Sequence, residues 1–145
     1  MLKRLIFYSD GGARGNPGPA AIAYLVVTEM GEVIKADSCF IGIHTNNQAE
    51  YFALIAALEF AKTIKIEDPV CHLDSELVAK QLRGEYRVKN IELQKLWRKA
   101  QELKSCFKKI SFINVPRTNA FIQRADALVN ETLDRQAKAS AKGLL

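Results

Sequence analysis

Four acidic residues carry the chemical interest of this sequence: Asp10, Glu50, Asp74 and Asp126. Asp10 follows the apolar run Leu5-Ile6-Phe7-Tyr8-Ser9, and Asp74 follows Val70-Cys71-His72-Leu73. Glu50 and Asp126 fall near the starts of two stretches with a helical apolar period. Each has a local explanation, as a turn residue or as a charge that complements a helix dipole. Gathered at one edge of a sheet, however, the four would repel one another unless cations neutralised them. Oxygen-only ligands favour Mg²⁺ or Mn²⁺, and the absence of a His/Cys cluster argues against zinc. A pair of such ions can clamp the attacking and leaving oxygens of a phosphodiester, which makes phosphoryl transfer the chemistry this set could perform. The glycines after Asp10, from Gly11 to Gly18, remove side chains that would block the approach of a metal ion and a phosphate ester.

The elements that must position these groups follow from apolar periodicity. Lys3 to Ser9 reads as a strand buried on both faces, with Asp10 at its end. Ala20 to Thr28 and Glu32 to Ile41 read as two further strands around the turn Glu29-Met30-Gly31, giving a three-stranded antiparallel unit. Ala49, Phe52, Ala53, Ala56, Ala57, Phe60 and Ala61 define a largely buried central helix. Its start carries the capping-box pattern Thr45-x-x-Gln48, which places Glu50 close to the helix N-terminus. A short strand then ends at Asp74, and Ser75 to Leu82 forms a short helix closed by Gly84. A helix from Ile91 to Phe107, a strand from Lys109 to Val115 and a last helix from about Ala120 to Ala137 complete the pattern, with Lys138 to Leu145 expected as a frayed tail. Parallel pairing across a helical crossover brings strand carboxyl ends together, where open α/β sheets place ligands.

The bulk properties agree with one domain, residues 1–137, and the tail. The chain has 145 residues, 48% hydrophobic and 26% charged, with no apolar run of membrane-spanning length. No signal-like segment precedes the first strand, so a soluble cytoplasmic protein is expected. Cys39, Cys71 and Cys106 are too few and too scattered for a disulfide framework or a zinc cluster. The net charge of +5 is unevenly spread: residues 1–74 sum to −3 and residues 75–125 to +8. That asymmetry fits a polyanion lying across a basic surface, and equally a solvated basic helix face.

Four motifs, in order, resemble ribonuclease H type 1, in its compact bacterial and archaeal branch. They are Tyr8-Ser9-Asp10-Gly11-Gly12 with Gly15-Asn16-Pro17-Gly18, then Thr45-Asn46-Asn47-Gln48-Ala49-Glu50, then Asp74-Ser75-Glu76-Leu77-Val78, and Ala125-Asp126-Ala127-Leu128 after Val115-Pro116-Arg117. The resemblance covers residues 2–135 and implies an α/β fold with a mixed five-stranded sheet, three antiparallel N-terminal strands and two parallel ones, flanked by helices. It further implies endonucleolytic hydrolysis of the RNA strand of RNA/DNA hybrids, leaving 5′-phosphate and 3′-hydroxyl ends, by a monomer with no obligate protein partner. The implied cofactor is a pair of Mg²⁺ ions, with Mn²⁺ as a substitute. Carried onto this sequence, Asp10 would bridge the two ions, Glu50 and Asp74 would complete the site on the leaving-group side, and Asp126 would hold the ion on the water side. Gly11, Gly12, Asn16, Asn46 and Asn47 match positions that contact the hybrid, and Thr45 matches one that holds a DNA-strand phosphate. These polar residues equally suit caps and turns.

The sequence also departs from the family pattern. Ile122 stands where many relatives have an Asn four residues before the last aspartate, and the loop leading to Asp126 is longer. Asn119 could substitute for that Asn or could cap the last helix. Arg117 is the nearest basic candidate for product release or phosphate contact. The stretch from Gly84 to Phe107 is too short for an extra basic helix, so Lys80, Arg83, Arg87, Lys89, Lys95 and Lys99 are assigned to gripping the hybrid, with Trp97 read as core rather than as a base-stacking platform. Two other readings remain open: a different nuclease on the same architecture, such as a junction resolvase or exonuclease, and a non-catalytic hybrid-binding module. The second predicts loss of an acidic ligand, and all four are present.

Overall fold

The nearly continuous apolar runs at the start of the chain yield strands buried on both faces. In the computed structural model, which describes residues 4–143, they form β1 (Arg4–Ala13) and β2 (Gly18–Val27). There follow β3 (Val33–His44), α1 (Asn46–Thr63), β4 (Asp68–Leu73), α2 (Glu76–Leu82), α3 (Ile91–Lys104), β5 (Ser111–Asn114) and α4 (Ala120–Ala141). The strands make one mixed sheet in the order β3-β2-β1-β4-β5. β2 pairs antiparallel with β1 and β3, whereas β4 pairs parallel with β1 and β5. This is the α/β architecture expected from the sequence.

Side-chain alternation divides the interior into two layers. Tyr24 and Val26 of β2 join Leu5, Phe7, Cys71, Leu73 and Phe112 in the larger core, closed by Leu54 and Leu58 of α1, Val78 of α2 and Leu103 of α3. The intervening Ala21 and Ala23 turn to the other face and meet Ala125, Val129 and Leu133 of α4. Leu25 and Val27 pack there with Tyr8 and Ile122. Alanines on both sides of the α4 contact let the helix lie close to the sheet. On the opposite face, Gly11 serves the same end: a Cβ there would collide with the Ala49 carbonyl of α1.

Several boundaries differ from the sequence reading, among them the end of β3, which runs to His44 where Ile41 was expected. β1 does not stop at Ser9; it runs to Ala13, and Asp10, Gly11 and Gly12 pair with Ala23, Ile22 and Ala21. Antiparallel pairing to β2 carries the strand through the glycines, so Asp10 is an interior strand residue. α3 ends at Lys104, where Ser105 caps it, and β5 is confined to Ser111–Asn114. α4 continues past Ala137 to Ala141, because Lys-Ala-Ser-Ala contains no helix breaker before Gly143, whose φ of +68° ends it. Residues 138–141 of the expected frayed tail are therefore helical. The expected strand start at Lys3, and Leu144 and Leu145 of the tail, lie outside the described residues.

Candidate active site

Strand register brings the first two carboxylates together. β1 and β4 run parallel with Tyr8 opposite His72, so Asp10 and Asp74, each two residues further on, emerge side by side. α1 adds the third. Its N-cap is Thr45, with both halves of the capping box formed: Thr45 Oγ1 accepts from the Gln48 amide, and the Gln48 side chain accepts from the Thr45 amide. Glu50, one turn further along α1, accepts from the Gly11 amide through Oε1 at 3.3 Å. Carboxylate oxygens of Asp10, Glu50 and Asp74 lie within 4.8 Å of one another. Asp126, on the exposed side of α4, is not one of those three, but it lines the same cleft of about 570 Å³ and its side chain meets that of Asp10, disfavouring Asp10 ionisation.

Burial and like charge act together on this cluster. Asp10, only 6% exposed, is pushed up to about 7, first by burial and then by Asp74. Burial, reinforced by Asp10 and Asp74, drives Glu50 well above the ordinary carboxylate range. Asp74 is raised by burial but partly restrained by Arg117, whose Nε lies 3.6 Å from Asp74 Oδ2. Glu50 Oε2 is buried with no hydrogen-bond partner among the described residues. An orphaned carboxylate oxygen facing two further carboxylates, with no sulfur or imidazole beside them, fits a hard divalent cation bound through oxygen.

The remaining candidates divide between the cleft and its supports. Gly11, Gly12, Asn46, Asn47 and Arg117 line the cleft, while Asn16 and Thr45 are not among its lining residues. Asn16 Oδ1 instead accepts from the Asn46 amide, and Asn46 Oδ1 accepts from the Ala13 amide, both at 2.9 Å. The two asparagines thus fasten the β1–β2 turn to the start of α1. The missing side chain of Gly11 makes room for α1. Gly12 has the open position, its nearest neighbours being Val129 Cγ1 at 3.9 Å and Asn46 Oδ1 at 4.0 Å. Asn119 is the N-cap of α4, accepting from Phe121 and Ile122, and Ile122 is core.

Sequence reasoning missed Arg14, Gln123 and Asn130, which also line the cleft. The spacing of Asn130, four residues after Asp126, was the available signal. Several residues assigned to gripping the hybrid have partners within the fold. Lys80 pairs with Glu76, Arg83 with Glu85, Lys95 with Glu92 and Lys99 with Glu59. Trp97 packs against the larger core and donates its indole N–H to the Gln81 carbonyl at 3.1 Å, as a core residue would.

A family model described as reverse transcriptase-like matches residues 8–132, a span that holds all four carboxylates. Ribonuclease HI of Halobacterium salinarum is 45% identical over 131 residues, covering 90% of this chain. The chain belongs to the ribonuclease H type 1 family. It spans 65% of the length of that archaeal relative and 38% of the bifunctional protein Rv2228c of Mycobacterium tuberculosis, to which it is 39% identical over 140 residues. The ribonuclease H fold is matched closely by the solved N-terminal domain of Rv2228c, with a TM-score of 0.88 at 38% identity, covering 94% of this chain and 98% of that one. LC11-RNase H1, solved in complex with an RNA/DNA hybrid, gives a TM-score of 0.85 at 40% identity, covering 92% of this chain and 99% of that one.

Proposed function

We propose that this protein is an endoribonuclease that hydrolyses the RNA strand of RNA/DNA hybrids with two divalent cations, leaving 5′-phosphate and 3′-hydroxyl ends. The observation that carries the proposal is the convergence of Asp10, Glu50 and Asp74 within 4.8 Å, beside an orphaned Glu50 oxygen, in a ribonuclease H fold. Mg²⁺, or Mn²⁺ in its place, would supply charge neutralisation and Lewis acidity at the phosphodiester when bound there. Asp10 has the central role, because it lies beside Glu50 and Asp74 and its side chain also meets that of Asp126. Glu50 is fixed by the Gly11 amide, which leaves its second oxygen as a ligand. Asp74 and Arg117 hold opposite charges at the rim, where Arg117, 91% exposed on its side chain, can swing from the carboxylate to a phosphate oxygen.

Recognition falls to the backbone at Gly12 and the side chains of Asn46 and Asn47, which face the cleft. Amide groups there can meet the 2′-hydroxyls of an RNA strand in a minor groove, the feature that separates RNA from DNA. Asn16 and Thr45 contribute through the turn and the helix cap they hold, with the α1 N-terminus offering its dipole to a DNA-strand phosphate. The test uses hybrids labelled on one strand at a time, incubated with Mg²⁺. Cutting confined to the RNA strand, with products that a ligase or polymerase recognises as 5′-phosphate and 3′-hydroxyl ends, is expected. Intact RNA, or equal cutting of both strands, would refute the proposal.

A further inference from the structure

Three of the four carboxylates are held by the sheet or by the Gly11 amide, whereas the fourth stands on the exposed surface of a helix. Asp10 sits inside the central strand, Glu50 is gripped by the Gly11 amide, and Asp74 leaves the end of β4 beside Arg117. Asp126 lies on an exposed turn of α4, outside the group gathered within 4.8 Å. An aspartate in that setting has several rotamers open to it, and a ligand that must be fixed before it binds carries an ordering cost.

Besides its contact with Asp10, one side chain restrains it. Asn130, one helical turn further along, donates Nδ2 to Asp126 Oδ2 at 3.3 Å and to the Asp126 carbonyl at 3.0 Å. Its other end is also engaged. Arg14 Nη2 reaches Asn130 Oδ1 at 3.4 Å and the Asn130 carbonyl at 3.3 Å, and is anchored by Asp134 Oδ1 at 2.7 Å. With a guanidinium on one end, the amide can present only its NH₂ to Asp126, so the network assigns the orientation of the Asn130 side chain. Arg14 belongs to the turn between β1 and β2, and Asn16 of that turn holds the start of α1. The turn therefore ties both helices that carry site carboxylates to the strand that carries Asp10.

We propose that Asn130 is a positioning residue for the Asp126 carboxylate, held in its working orientation by Arg14. The proposal rests on the reading of Asp126 as a ligand in a divalent-cation site. Groups that orient a ligating carboxylate commonly affect metal affinity or activity by about 10–100-fold, although exposed hydrogen bonds of this kind add little to stability.

The experiment compares wild type, Asn130→Leu, Asn130→Asp and Arg14→Gln in the full chain. Calorimetric titration with Mg²⁺ in the absence of nucleic acid is read alongside kcat, KM for a hybrid, and the thermal midpoint. Asn130→Leu keeps similar bulk but cannot donate, and is expected to weaken Mg²⁺ binding and lower kcat by about tenfold. KM for the hybrid should stay within about twofold, and the thermal midpoint close to that of wild type. Asn130→Asp places a like charge against Asp126 and should be affected in its turnover at least as strongly, whereas Arg14→Gln should show a smaller loss in the same direction. In an Asp126→Asn background, Asn130→Leu should cause no further loss of Mg²⁺ affinity. Wild-type Mg²⁺ affinity and kcat in Asn130→Leu, or an equal loss of affinity with Asp126 already removed, would overturn the proposal. A wild-type protein that binds Mg²⁺ but cleaves no hybrid would refute the proposed function, while the calorimetric comparison would still decide the role of Asn130.

Discussion

Asp10 concentrates the electrostatic cost of the site. Its carboxyl is held at about 7 instead of 3.8, by burial first and Asp74 second. Between those values the folded protein retains a proton that the unfolded chain releases, so folding stability falls as pH rises through that window. Glu50 and Asp74, also raised, act with the same sign. The cation-free protein should therefore be more stable near pH 5 than near pH 8 in thermal melts followed by circular dichroism. For Asp10 the stability lost between about pH 3.8 and pH 7 is of the order of 4 kcal/mol before screening and relaxation reduce it, and roughly 2 to 3 kcal/mol of that falls above pH 5. Asp10→Asn should raise the midpoint at pH 8 and flatten the pH dependence, and Mg²⁺ should restore much of the lost stability to the wild type by mass action. A cation-free midpoint that rises from pH 5 to pH 8 would contradict the arrangement of this cluster.

At the scale of elements, the site depends on how closely α1 approaches β1. Gly11 allows that approach, so Gly11→Ala must push the helix start away from the sheet and move Glu50 with it. A loss of about 1–3 kcal/mol is expected in urea unfolding, typical of overpacking, and cleavage should fall with it. Gly12→Ala, with nothing nearer than 3.9 Å, is the control and should change stability by less than about 1 kcal/mol. Equal stability of the two variants would remove the packing role from Gly11. The sequence made the elements that hold the carboxylates legible, because each has a strong local signature: the apolar period of α1, the Thr45 and Gln48 box, and the apolar runs ending near Asp10 and Asp74. What it hid was tertiary. The continuation of β1 through Gly11 and Gly12 depends on pairing with β2, and the role of Gly11 depends on the Ala49 carbonyl across the layer. The link from Arg14 to Asn130 joins residues 116 positions apart and has no local trace. The two readings of Asn119 became one only when its side chain was seen to accept from Phe121 and Ile122.

For the molecule as a whole, acidic and basic charge are separated along the chain. The acidic set lies in the cleft at the carboxyl ends of β1 and β4, while the excess positive charge belongs to residues 75–125, which include α2 and α3. The acids that pair with Lys80, Arg83 and Lys95 are already counted in that net charge, and only Lys99 and Arg117 pair with acids from outside the segment. Among the described residues Arg87 and Arg98 make no ion pair and border a hollow of about 460 Å³ with Tyr86 and Trp97. No helix among the described residues is long and apolar enough to cross a membrane. The central claim is that the Asp10 cluster holds the cations that cut RNA, and its most direct measurement is RNA-strand cleavage as a function of Mg²⁺ concentration for wild type and Asp10→Asn on the same hybrid. Saturable Mg²⁺-dependent cutting of the RNA strand by the wild type, abolished by chelation, is expected, with a loss of at least about 10³-fold in the folded variant at every Mg²⁺ concentration. Undiminished cutting by Asp10→Asn, or wild-type cutting that persists without any divalent cation, would contradict it.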